Sequence, residues 1–252
     1  MLLPDRKTRL VLGGYLPYVT LMLDSRRGPV ENGGNMLDLS GRGNHATLDT
    51  GSSTVTPGDG IDCGNGSQGW GATIADSDGL TFVNSLGDVP FGIFLWHYNS
   101  GLSSGQQLFA KRQTAGSPNV EWNLVHEAGG VINMTLFDDA SNQRIGAKSA
   151  SGISNGNSWN FYGSTYNGNG AYTDITLYHN GEAVATAGNN NAGSYAGMSN
   201  TGSTVQIGYY GANPTAIPTV GKLDGIVIVK GIEPDSDTIK ALFESRRHLF
   251  GV

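Results

Sequence analysis

Residues 159–186 read WNFYGSTYNGNGAYTDITLYHNGEAVAT, and this stretch decides the fold class. Asn180-Gly181 lies between alternating apolar residues. A type I′ turn needs positive φ at both central positions, and Asn-Gly tolerates that best. Ile175 and Leu177 then share one face of a strand, and Thr176 and Tyr178 the other. On the return strand Val184 shares a face with Glu182 and Thr186. Upstream, Phe161 to Tyr166 reads as a third strand, joined to the hairpin by Asn167-Gly168-Asn169-Gly170.

The same pattern continues outward in both directions. Tyr18 to Asp24 alternates as a half-buried first strand, and Ile61 to Gly64 is the next. Phe91 to Tyr98 is almost continuously apolar, as a central strand covered on both faces must be. Gln107 to Lys111 follows. Val120 to His126 and Val131 to Phe137 form a hairpin across Glu127 to Gly130. Arg144 to Ala150, Thr204 to Gly208 and Lys222 to Val229 complete the strands, with residues 187–203 a polar loop between. Pro234 suits the first turn of a helix. Ile239, Leu242, Phe243 and Leu249 give it one apolar stripe, with Arg246 and Arg247 at its negative end. Alternating strands with two inner faces imply an all-β, two-sheet antiparallel sandwich about 10 Å from sheet to sheet.

Bulk properties agree. The chain has 252 residues, 39 of them glycine, and only 14% charged residues. One domain is expected, residues 18–252, preceded by an arm at 1–17. Folding would hide about 70% of the extended chain's surface, enough for a full core. The net charge of −6, without a basic face, disfavours nucleic acid. One cysteine, Cys63, excludes an internal disulfide framework, and the five scattered histidines show no zinc spacing. Asp5 to Arg9 followed by Leu10 to Leu23 has the outline of a secretory leader. Gly13, Gly14, Pro17, Val19 and Thr20 break it, no small-x-small cleavage site follows, and the run is too short to cross a bilayer.

Several motifs in this order carry a family resemblance. Asp38-Leu39-Ser40-Gly41-Arg42-Gly43-Asn44-His45-Ala46-Thr47-Leu48 resembles the D-x-S-G-x-G-N-H-x-x-L signature of laminin-G-like modules. Trp159, Thr165-Tyr166-Asn167-Gly168 and Leu177-Tyr178-His179-Asn180-Gly181-Glu182 match the same pattern. So do the strand Phe91–Trp96, the closing pair Ile207-Gly208 and Gly225–Ile228, and the terminal helix. The chain from Tyr18 to Phe250 thus resembles the concanavalin A-like, laminin-G-type jelly roll. The resemblance implies a sandwich with a short C-terminal helix, and relatives that act as lectins, glucanases or binding modules.

The residues bear on three chemistries. A jelly-roll glucanase needs two carboxylates on one strand face, spaced i, i+2 or i, i+4. Glu121 and Glu127 are six apart, and Asp138-Asp139 are adjacent and point oppositely, so no catalytic residue is assigned. The resemblance allows a structural calcium, for which Asp38, Ser40 and Asn44 could supply oxygens with Asp24 or Asp224 approaching; no cofactor is required. The plainer alternative is an Asx-type turn in which Asp38 and Asn44 bond their own backbone. Sugar binding calls for a flat aromatic beside amides on loops. Trp70 in QGWGA, Tyr195 in GSYAG with Asn190 upstream, and Tyr209-Tyr210 before GANP are the candidates. The plainer alternative for Trp70 is packing over the core edge. Trp96, Trp122 and Trp159 read as core or sheet residues, Cys63 as a small buried hydrophobe, and Arg26-Arg27 as a solvated pair.

These readings lead to a non-catalytic surface protein of a virion, of capsid-decoration or tail-fibre type. A module that resembles extracellular ones, without a convincing leader or disulfides, suits a particle released by lysis. Its partners would be other virion proteins, further copies of itself as a homo-oligomer, and host or environmental glycans, with neither nucleic acid nor membrane. A secreted bacterial polysaccharide-binding protein is the alternative, and a glycoside hydrolase or polysaccharide lyase the third.

Overall fold

The structure, a computed structural model, describes residues 11–26, 30–31, 35–49, 53–65, 71–102, 104–112, 120–188, 194–209 and 219–252. In chain order the strands are β1 (Val19–Leu23), β2 (Val30–Glu31), β3 (Asn35–Met36), β4 (Ala46–Leu48), β5 (Thr54–Thr56), β6 (Gly60–Asn65) and β7 (Ala72–Ile74). There follow β8 (Val83–Asn84), β9 (Gly87–Asp88), β10 (Phe91–Asn99), β11 (Gln106–Arg112), β12 (Val120–Glu127), β13 (Val131–Asp138) and β14 (Gln143–Ser149). The last are β15 (Ser158–Tyr166), β16 (Ile175–His179), β17 (Glu182–Ala183), β18 (Thr186–Gly188), β19 (Val205–Ile207) and β20 (Val220–Lys230), before helix α1 (Ser236–Phe250).

Two antiparallel sheets face each other. The smaller runs β17-β16-β15-β10-β20-β6-β5, with β1 paired to the second half of β20. The larger has ten strands in the order β18-β14-β13-β12-β11-β19-β7-β4-β3-β2, and β8 and β9 form a separate ribbon. The expected all-β jelly-roll sandwich with a short C-terminal helix is what the chain forms.

Period two sorts the strands' side chains into two cores. Phe91, Ile93 and Leu95 of β10 enter the space between the sheets, with Trp122, Leu124, Met134 and Leu136 opposite. Phe94 and Trp96 point the other way, into a second core with Phe161, Val227 and Val229 that α1 covers with Ile239, Leu242, Phe243 and Phe250. This is why the central strand reads as an unbroken apolar run. Leu12, in the segment expected to be an arm, is buried in that second core, and Tyr15 donates to Asp235 at 2.9 Å. Residues 11–17 therefore pack on the domain, and residues 1–10 lie outside the described residues.

The Asn180-Gly181 turn has φ of 50° and 83°, as a type I′ turn requires. A side chain at Gly181 would also press on Phe243 at 3.1 Å. The return strand is shorter than its sequence suggests. After Val184 N–H bonds Leu177 O, the chain leaves the smaller sheet, and Thr186–Gly188 pairs with β14 of the larger one. Helix α1 begins two residues after Pro234, because the Asp235 side chain accepts from Thr238 N–H at 2.7 Å and caps it.

Candidate functional site

The register of β11 to β14 builds a groove on the outer face of the larger sheet. Trp122, Leu124, Met134, Leu136 and Ala147 fill the inner face, so the alternate residues stand outward. One cross-strand row is Ala110–Asn123–Thr135–Gly146, whose ends carry little or no side chain. Beside it stand the pairs Arg112–Val120 and Phe137–Arg144, and on the other side lies the row Val125–Asn133–Lys148. The low row between taller ones leaves a groove of about 330 Å³, closed at one end by the turn bearing Asp139, Asn142 and Gln143.

Its chemistry is mixed. Phe137 presents a half-buried ring, and Arg144 is exposed beside it. Asn133 donates to Glu127 at 2.9 Å and accepts from Thr135. Asn123 Oδ1 and Gln143 Oε1 are shielded, yet accept no hydrogen bond among the described residues. Burial raises the Asp139 carboxyl above its ordinary value, while nearby Arg112 pulls it back. A flat apolar ring, amide acceptors awaiting donors and guanidinium groups together suit a hydroxyl-rich ligand with an acidic substituent. None of Arg112, Asn123, Phe137 and Arg144 stands out in the sequence. The available signal was that the outward positions of two adjacent strands, Asn123, Asn133 and Thr135, are polar but uncharged.

The loop candidates fall elsewhere. Trp70, Asn190 and Tyr210 lie outside the described residues. Tyr195, a candidate sugar-binding aromatic, is not an open platform on its loop. It packs against the main core and donates to Asp88 Oδ2 at 2.7 Å. The same carboxylate holds Tyr166 Oη at 2.8 Å and Met198 N at 2.6 Å, pinning the 194–203 segment to the sandwich. Tyr209 is also buried, beside Asp49, rather than exposed.

The Asp38 loop does not fit a calcium ion. Asp38 Oδ1 accepts from Met22 N–H at 3.0 Å and Ser40 N–H at 2.9 Å. Its Oδ2 accepts from Ser40 Oγ at 2.7 Å and Asn44 N–H at 3.0 Å. Donors facing both oxygens are the opposite of a cation cage. Asn44 is also committed, donating to Thr20 O at 2.7 Å and accepting from Ser77 Oγ at 2.8 Å. Asp24 meets Arg246 at 2.8 Å instead, in a cluster with Asp224 and Arg26. Among the described residues no three His, Cys, Asp or Glu side chains gather around a metal position. The motif loop does line a second hollow of about 510 Å³, with Arg42 and Lys230 at its rim. Of the acids named above for catalysis, Glu127 accepts from Asn133, Asp138 is buried at the end of β13, Asp139 lines the groove, and Glu121 is buried against Lys111.

No protein-family model matches the sequence, and no match was found among curated proteins. Solved structures do resemble it. Trypanosoma rangeli sialidase in complex with sialic acid aligns with a TM-score of 0.60 and 18% identity, over 92% of this chain and 34% of that one. The botulinum neurotoxin serotype D binding domain aligns with a TM-score of 0.61 and 14% identity, over 92% and 53%. The serotype C1 binding domain gives 0.60 and 15%, over 92% and 52%. The chain therefore spans about a third to a half of these proteins' length. At such identities the likeness is one of fold, and the fold they share with this chain is the antiparallel β-sandwich.

Proposed function

We propose that this protein is a non-catalytic carbohydrate-binding sandwich of the concanavalin A-like, laminin-G type, taking an acidic glycan in the groove of the larger sheet. The observation that carries the proposal is the pair of shielded, unfilled acceptors, Asn123 Oδ1 and Gln143 Oε1, beside the Phe137 ring. Sugar hydroxyls would donate to the amides, the ring would cover an apolar sugar face, and Arg112 and Arg144 would meet a carboxylate or sulfate. The sialidase solved in complex with sialic acid and the toxin binding domains support the reading as binding proteins of this fold.

Placement on a virion surface, with other virion proteins and further copies of the chain as partners, belongs to the same proposal and rests on the sequence pattern. A secreted polysaccharide-binding protein would use the groove in the same way. Mass spectrometry of purified particles from the source separates the two.

The direct test is a panel of neutral, carboxylated and sulfated glycans, with Phe137→Ala and Arg144→Ala alongside. Selective binding to acidic glycans, weakened roughly tenfold or more in either variant, is the expected result. A blank panel, or binding untouched by both substitutions, removes the proposal.

A further inference from the structure

A buried amine lies between two carboxyl groups on the core side of the same sheet. Lys111 faces Trp122 across the β11–β12 ladder, but Arg112 faces Val120. Glu121 is thus the extra residue of a β-bulge, which turns its carboxyl toward Lys111. Lys111 Nζ is 2.9 Å from Glu121 Oε1 and 2.6 Å from Asp76 Oδ1, and it also donates to Thr81 Oγ1. The Lys111 and Glu121 side chains are 0% exposed, whereas Asp76 reaches in from the rim at 41%. Glu121 Oε1 is held by Thr201 N–H at 2.8 Å and Thr201 Oγ1 at 3.0 Å. Its Oε2 is buried and takes no hydrogen bond among the described residues. Trp122, stacked with Phe82 and packed edge-on to Phe109, borders the cluster.

We propose that Lys111 and Asp76 condense to an intramolecular amide, with Glu121 carrying the proton. Keeping the Lys111 ammonium and the Glu121 carboxylate out of water is costly. Transfer of one proton from the Lys111 ammonium to the Asp76 carboxylate leaves a neutral amine beside a neutral acid. The Nζ lone pair then attacks Asp76 Cγ. Glu121 takes a proton from the nitrogen as the C–N bond forms and returns it to the departing hydroxyl as the C–O bond breaks. One water leaves through the open rim, Glu121 is regenerated, and no oxidant or co-reactant is consumed. Holding the two groups in contact removes the entropy cost that makes the same condensation slow between free molecules. The bond would staple the connection after β7 to β11, in a sandwich whose one cysteine, Cys63, is buried and free.

The test is the intact mass of the purified full chain, measured after denaturation. The wild type is expected one water lighter than its sequence. No Lys or Arg lies between Arg42 and Lys111, so tryptic digestion should leave Lys111 uncut in one looped peptide, residues 43–112, which chymotrypsin should then open into a branched peptide joining Asp76 to Lys111. Lys111→Arg keeps the positive charge and should show the full mass, as should folded Glu121→Gln. A wild type at full mass, or a branched peptide joined through other residues, overturns the bond. Loss of water in Glu121→Gln overturns the role of Glu121.

Discussion

Asp38 and Asp88 show how single carboxylates organise loops here. Each gathers donors from segments far apart in sequence, so the folded loop answers nearly every lone pair itself. Asp38→Ala would strand buried N–H groups of Met22, Ser40 and Asn44. The expected cost is about 2–4 kcal/mol in urea unfolding, since each buried unsatisfied donor is worth a large part of a desolvation penalty. Because donors, not a cation, surround this carboxylate, EDTA should leave the wild-type melting curve unmoved. A melting temperature that falls with chelator and recovers with calcium would restore the metal reading of Asp38, Ser40 and Asn44.

At the scale of elements, α1 and β20 depend on each other. In β20, Phe94 faces Val227 while Trp96 faces Asp224, so the strand carries a bulge at Gly225, whose φ is 57°. A Cβ at that position would lie 2.8 Å from the Trp96 ring. The bulge lets Asp224 receive Ser25 and Arg26, and lets the helix lie flat on Trp96. Phe250 closes the helix end, stacked on Trp96 at 4.1 Å with the Arg26 guanidinium over its other side. Phe250→Ala is expected to cost about 3 kcal/mol, through lost burial and the cavity left behind. Asp235→Ala removes the helix cap and the exposed hydrogen bond from Tyr15, and should cost about 1 kcal/mol. Urea midpoints measure both, and equal losses would contradict this ranking.

For the whole molecule, the space between the sheets holds a polar layer as well as an apolar one. His97 and His126 are both buried, with ring centroids 5.9 Å apart, among Asn99, Gln106 and Tyr162. Burial pushes His97 down to about 3, with His126 adding to the effect, and pushes His126 down to about 4. The fold thus keeps both rings neutral, while the unfolded chain protonates them near pH 6.5. Stability is full above that pH. It falls as pH drops from 6.5 toward 4, at up to about 1.4 kcal/mol per pH unit for each ring. Unfolding free energies at pH 7.5, 5.5 and 4.5 should show this slope, and His126→Gln should flatten it. A level profile across that interval would refute it.

Local periodicity was enough to read the strands, the type I′ turn at Asn180-Gly181, the doubly covered Phe91–Tyr98 and the amphipathic terminal helix. Each depends on residues a few positions apart, so the sequence by itself determined an all-β sandwich with one helix. The groove, the inward turn of Glu121, the passage of Thr186–Gly188 to the other sheet, the burial of Leu12 and Tyr209 and the packing of Tyr195 against the core were decided only in the tertiary structure. These depend on register between strands distant in sequence, where one extra residue reverses which face a side chain occupies. The packing of Tyr195 could not be read from its loop GSYAG, because the partner that draws it inward, Asp88, lies 107 residues away.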